Sequence, residues 1–192
     1  MSTTSKRLWA GNAAVLFFLT HAATWLLRGA PANLLWACHL GCLLIGIAVL
    51  SNCPVLNAIG VHWLALGNIL WCINLAGGGE FIFTSQLTHL GGMLIGLWYA
   101  RQAGFARGSW LAALAAIAAL HVLSGFVTPA RENINLAFRV HEGWEKIFPD
   151  FQLYRLFLLA AAAALFYALE RALKHFFPPG AQMPSRSDPR KS

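Results

Sequence analysis

Six long apolar stretches, at 8–27, 34–50, 55–75, 81–100, 109–128 and 151–173, set the terms on which this chain can fold. A helix needs roughly 20 apolar residues to cross a hydrocarbon core of about 30 Å. Inside that core each backbone polar group must be satisfied within its own segment, so stretches of this length are expected to be helices. The expected fold class is all-α, a polytopic transmembrane helical bundle of six spans over 1–177, with short connections and antiparallel neighbours. Composition agrees: 58% of the 192 residues are hydrophobic and only 11% are charged, a balance outside that of ordinary soluble domains.

Charge placement orients the bundle. With the N-terminus inside, Lys6, Arg7, Arg101, Arg107, Arg171, Lys174, Arg186, Arg190 and Lys191 lie on the cytoplasmic side. Arg28, Arg131, Arg139, Lys146 and Arg155 then lie outside, the smaller set, as the positive-inside rule requires. Both termini are expected in the cytoplasm, the short loops suit a bacterial-type inner membrane, and the tail 178–192 reads as disordered and basic. The net charge of +7 is accounted for by retention signals and anionic lipid, so membrane lipid is the expected partner and nucleic acid is not. Lys6-Arg7 ahead of an apolar run resembles a secretory signal, but the run is long for a signal core and carries Thr20, His21 and Thr24, so it is expected to remain as a span. The sequence sets no oligomeric state.

Polar side chains inside such spans must find partners, because burying an unpaired amide or hydroxyl costs on the order of 2 to 7 kcal/mol. They concentrate in the outward halves. The second stretch carries Cys38, His39 and Cys42 within about 100° of helix circumference. The third carries Asn68 and Cys72, and the fourth Thr84, Ser85, Gln86, Thr88 and His89, with Ser85, His89, Gly92 and Gly96 on one stripe. His21 and Thr24 in the first stretch, and His121 and Ser124 in the fifth, fall at comparable depth. Each histidine alone is explained by a structural hydrogen bond, but four at one depth point to a site. His62 lies at the opposite depth and is read as structural. The four cysteines are expected to stay reduced, Cys53 beside Pro54 in a cytoplasmic turn. The connection 129–150 mixes apolar anchors with charges, as either a lid or a plain connector would.

The first chemistry this permits is nucleophilic acyl transfer or hydrolysis on a lipid or acyl substrate. A thiolate attacks an ester or thioester carbonyl, an imidazole moves the proton, and amide or hydroxyl donors hold the oxyanion. Cys38 or Cys42 would be the nucleophile, His39 or His89 the base, with His121 nearby and Asn68, Gln86 and Thr88 as oxyanion donors. Trp36-Ala-Cys-His-Leu-Gly-Cys42, the aromatic third stretch and Thr88-His89-Leu-Gly-Gly resemble a family of small six-span membrane proteins. That family pairs a His-Leu-Cys motif in one span with Ser-His-Gly two spans later and includes a lipid acyltransferase that uses a Cys/His pair. Here Gly41 separates His39-Leu40 from Cys42, and Thr88 replaces the serine. His89-x-x-Gly92-x-x-x-Gly96 also resembles the catalytic-histidine helix of rhomboid proteases, whose Gly-x-Ser-Gly nucleophile motif is absent. A second class is binding: histidines on separate spans at equal depth can hold haem or a transition metal, with thiolate favouring soft ions. No paired ligand spacing names a metal, so no cofactor is specified. A third class is a structural or accessory membrane protein whose polar groups only lock helices together.

Overall fold

A computed structural model describes residues 2–178, so the expected basic tail falls outside the described residues except for Pro178. The chain is all-helical, with no strand among the described residues. Its helices are α1 (Thr3–Leu27), α2 (Ala37–Ser51), α3 (Pro54–Ala76), α4 (Phe83–Gln86), α5 (Gly92–Ala103), α6 (Ser109–Val127) and α7 (Phe151–Phe176). Four of them, α1, α3, α6 and α7, are long and apolar enough to cross a membrane. The second stretch yields a shorter element than expected. Pro31–Leu35 forms a 3-10 turn, leaving α2 only 15 residues, or about 22 Å at 1.5 Å per residue.

The fourth stretch is helical in three parts. A π-helical turn, Leu87–Gly91, joins α4 to α5, and its flanking residues keep right-handed helical dihedrals, so 83–103 runs as one rod. The extra residue that a π turn inserts rotates the faces on either side of it. Thr88 and His89, adjacent in sequence, are thereby both buried, on the same side as Ser85 and Gly92.

Small residues let the central helices close on one another. A Cβ on Gly60 of α3 would lie 2.7 Å from the Gly41 carbonyl of α2, and one on Gly92 would lie 2.8 Å from Cys42 Sγ. Backbones that approach this closely pack through van der Waals contact, which is what remains to hold helices together where lipid is as apolar as the core. Ile45, Val49, Val61, Leu64, Tyr99 and Phe105 fill the space between α2, α3 and α5. Trp63, Ala113, Leu120, Ala162 and Phe166 fill that between α3, α6 and α7. Large apolar side chains such as Leu27, Phe126, Leu94 and Leu156 instead point outward, as lipid-facing positions do.

Helix termini are satisfied by side chains from distant elements. The start of α6 has no capping side chain of its own; Glu170 of α7 accepts from the backbone N–H of Gly108 and Trp110, each at 2.9 Å, and from Ser109 Oγ at 3.0 Å. Asn135 does the same for α2: its Oδ1 accepts from Ala37 N–H at 2.9 Å while its Nδ2 donates to the Leu35 carbonyl and to Ser124 Oγ. Asn135 reaches these partners from a left-handed backbone, φ 52°, a conformation asparagine tolerates better than most residues. The first part of the 129–150 connection is thus bound to the bundle rather than free over it.

At the same end Arg28 and Glu80 form a two-pronged ion pair with both N···O distances 2.7 Å. The hydrogen bonds and charge of the Arg28 guanidinium hold the Glu80 carboxyl below its usual range. A carboxyl depressed on folding stabilises above its unfolded pKa, and that contribution is lost as pH falls through the folded value. Glu80→Gln should therefore melt slightly below the parent at pH 7 and indistinguishably from it well below about pH 4, the usual glutamate range. Paired thermal melts at the two pH values check this.

Candidate functional site

Three imidazoles from three helical elements meet near the α2 N-terminus. His21 of α1 and His39 of α2 face each other with their Nε2 atoms 2.9 Å apart and rings 4.2 Å between centroids. His89, from the π turn, sits 6.1 Å from His39 by centroid and packs edge-on against Trp71 at 5.2 Å. All three are buried. Cys38 joins them: Cys38, His39 and His89 each bring a potential ligand atom within 4.8 Å of the other two.

The surrounding hydrogen bonds assign the protons. Trp25 Nε1–H donates to His21 Nε2 at 2.9 Å, so that nitrogen presents its lone pair, and His21 Nδ1–H is left to donate to Thr84 Oγ1, also at 2.9 Å. His39 Nδ1 lies 2.7 Å from the Asn33 carbonyl oxygen, which can only accept, so Nδ1 carries the proton and Nε2 of neutral His39 is a lone pair. The two Nε2 atoms therefore lie 2.9 Å apart with no proton between them, the His21 lone pair being engaged by the Trp25 indole. His89 adds a second mismatch, because both of its ring nitrogens are buried without a partner. Among the described residues no carboxylate hydrogen-bonds any of the three rings; Glu132 reaches only Asn33 Nδ2, at 3.3 Å. Buried polar groups in folded proteins are nearly always paired, and clustered exceptions mark a missing partner.

The other sequence-derived candidates fall in different places. Cys42 is fully buried and donates to the Ala14 carbonyl at 3.4 Å, toward α1. Among the described residues no hydrogen bond joins either sulfur, Cys38 or Cys42, to an imidazole. Thr88 spends its hydroxyl on the carbonyls of Thr84, at 3.0 Å, and Phe17, at 3.5 Å. Asn68 Nδ2 donates to the His89 carbonyl at 3.5 Å while its Oδ1 is buried and unpartnered. Gln86 is half-buried on the short α4, and Cys72 is exposed. His121 is apart from the cluster: its Nδ1 meets the Asn135 carbonyl at 3.0 Å and it lines a separate surface hollow. His62 contacts the carbonyls of Ala58 and Phe166, at 2.6 and 3.1 Å, as a structural histidine would.

Trp25 falls at the depth of the cluster by sequence alone, whereas Asn33 and Asn135 were not picked out from the sequence. Trp25 lies four residues after His21 on one helical face, a spacing that places the two side chains together. The Asn33 carbonyl has no sequence signature, since a backbone acceptor carries no residue identity. No protein-family model matches the chain, and no curated protein or solved structure matches it.

Proposed function

We propose that this is an integral membrane protein that crosses the bilayer six times and binds a late first-row transition ion in a buried His39/His89/Cys38 site, with His21 beside it as the fourth donor. The observation that supports this most is the 2.9 Å approach of the His21 and His39 Nε2 atoms beside His89, whose two buried ring nitrogens have no partner. An ion held by both rings takes the His21 Nε2 lone pair in exchange for the Trp25 indole N–H. Two nitrogens each about 2.1 Å from one tetrahedral ion lie roughly 3.4 Å apart, so the rings need to part by only a few tenths of an ångström. The outer-ring hydrogen bonds fit as well, since ligating histidines commonly donate their other N–H to a carbonyl or hydroxyl, as His39 does to Asn33 and His21 to Thr84. Two imidazoles and one thiolate are a donor set suited to zinc or copper(I), which His21, outside the trio, would close as the fourth donor.

In this reading α2 crosses with the 3-10 turn extending it, and the 83–103 rod is a full crossing despite its π turn. Both termini lie in the cytoplasm, and the cluster lies in the outer half. Acyl chemistry through Cys38 with His39 or His89 is the second reading, supported by their mutual approach to within 4.8 Å. The two separate on purified protein. The metal reading expects close to one equivalent of zinc or copper per chain by elemental analysis. It also expects loss of most of that metal in His39→Ala and His89→Ala, and full retention in His62→Ala and His121→Ala. Metal-replete growth that yields protein with less than a tenth of an equivalent overturns it. Rapid labelling of Cys38 by a thiol-directed acyl probe in that metal-free protein would then favour the acyl reading.

A further inference from the structure

A hollow of about 190 Å³ opens between α6 and α7, lined by His121, Val122, Gly125, Phe126, Ala137 and Arg155. We propose that it binds a phospholipid from the leaflet at this end of the bundle, with the lipid phosphate on Arg155 and a headgroup hydroxyl on His121. This rests on the membrane crossing proposed above but not on the metal.

Arg155 carries the argument. It stands four residues into α7, about 6 Å from the helix start, on a face shared with exposed Leu156 and Leu159. Its guanidinium donates to Gln152 Oε1 at 3.2 Å and lies 5.8 Å over the Phe151 ring, and no carboxylate pairs with it among the described residues. A cation at the edge of the hydrocarbon is costly unless it reaches an anion, and a guanidinium fork matches phosphate oxygens two at a time. Lipid phosphate is the anion present at that depth.

His121 supplies the second contact. It stands six residues before the end of α6, about 9 Å from it. Its Nδ1–H donates to the Asn135 carbonyl, which leaves Nε2 as an acceptor. An acceptor beside a phosphate-binding arginine suits a hydroxyl-bearing headgroup such as phosphoglycerol. Deeper along α7 than Arg155, Leu156, 65% exposed, and Leu159, 42% exposed, offer the apolar face along which an acyl chain would lie, with Phe126 and Val122 flanking the headgroup end of the hollow.

The test is native mass spectrometry of detergent-solubilised full-length protein titrated with phosphatidylglycerol, phosphatidylcholine, diacylglycerol or glycerol 3-phosphate. The parent should retain one phosphatidylglycerol in preference to phosphatidylcholine and hold diacylglycerol at least fivefold more weakly. Arg155→Gln should lower retention of both phospholipids at least fivefold with Arg155→Lys intermediate, and His121→Leu should erase the phosphatidylglycerol preference. Retention unchanged in Arg155→Gln, diacylglycerol held as well as phosphatidylglycerol, or a preference unchanged in His121→Leu overturns the proposal. So does displacement of the lipid by glycerol 3-phosphate at equal concentration, which would make the occupant a soluble phosphate. The diacylglycerol comparison needs no variant and stands even if one misfolds; metal content, unaffected by Arg155→Gln, keeps this outcome separate from that of the cluster.

Discussion

Glu170→Leu should destabilise the protein by about 4 kcal/mol, the range for removing one member of a buried charged network. Glu170 is only 3% exposed. Its carboxylate accepts four hydrogen bonds, from Gly108 N–H, Trp110 N–H, Ser109 Oγ and Lys174 Nζ. The first three belong to the opening turn of α6, where N–H groups have no intrahelical acceptor and where the positive end of the helix dipole favours an anion. Leucine fills a similar volume but takes the acceptor away from the part-buried Gly108 and Trp110 N–H groups, an unpaired buried donor costing about 1 to 3 kcal/mol, while Ser109 Oγ keeps the Ala106 carbonyl. Lys174, whose side chain is 24% exposed, can turn to solvent. Glu170→Gln keeps an acceptor oxygen and should lose only about half as much. Equilibrium unfolding in mixed micelles, followed by helical circular dichroism, measures both; equal losses in the two variants would mean that the negative charge, which both remove, rather than the acceptor oxygen that glutamine keeps, matters at this position.

Glu170 also shows why sequence reading reached only part of the structure. Apolar runs locate helices along the chain because their signal is local, and all six runs are helical, at least in their central parts. What a run cannot convey is which azimuth faces which neighbour. An acid near the end of the last stretch reads as a surface charge until the fold places the start of α6 against it. The same limit explains the histidines. Depth along the membrane normal follows from counting residues, and by depth His21, His39, His89 and His121 are equivalent. Azimuth separates them: α1, α2 and the π turn converge, while His121 on α6 faces Asn135 and the hollow beside α7. The π turn was illegible for a different reason, since Leu87–Gly91 contains no proline to mark a break in the helix.

The chain's own thermodynamics offers the sharpest view of the cluster. In metal-free protein the opposed Nε2 atoms of His21 and His39 share no proton, so His39→Leu should cost little there, about 1 kcal/mol for the hydrogen bond lost at the Asn33 carbonyl, which keeps the Trp36 N–H. Saturating zinc should reverse the comparison. A ligand that binds only the folded state stabilises it by RT ln(1 + [L]/Kd), about 2.7 kcal/mol at one hundred times Kd, so the parent gains that amount and His39→Leu gains almost none. Cys38→Ser, which keeps a donor oxygen but removes the soft ligand, should fall between them. In cobalt-loaded protein it should also abolish the thiolate-to-metal charge-transfer band that the parent is expected to show. Unfolding midpoints with chelator and with zinc provide the readout. A parent that ignores zinc but gains stability on acidification has a proton, not a metal, between its two rings. In that case the cluster is a proton-sharing pair, and the ligation reading of His39 fails.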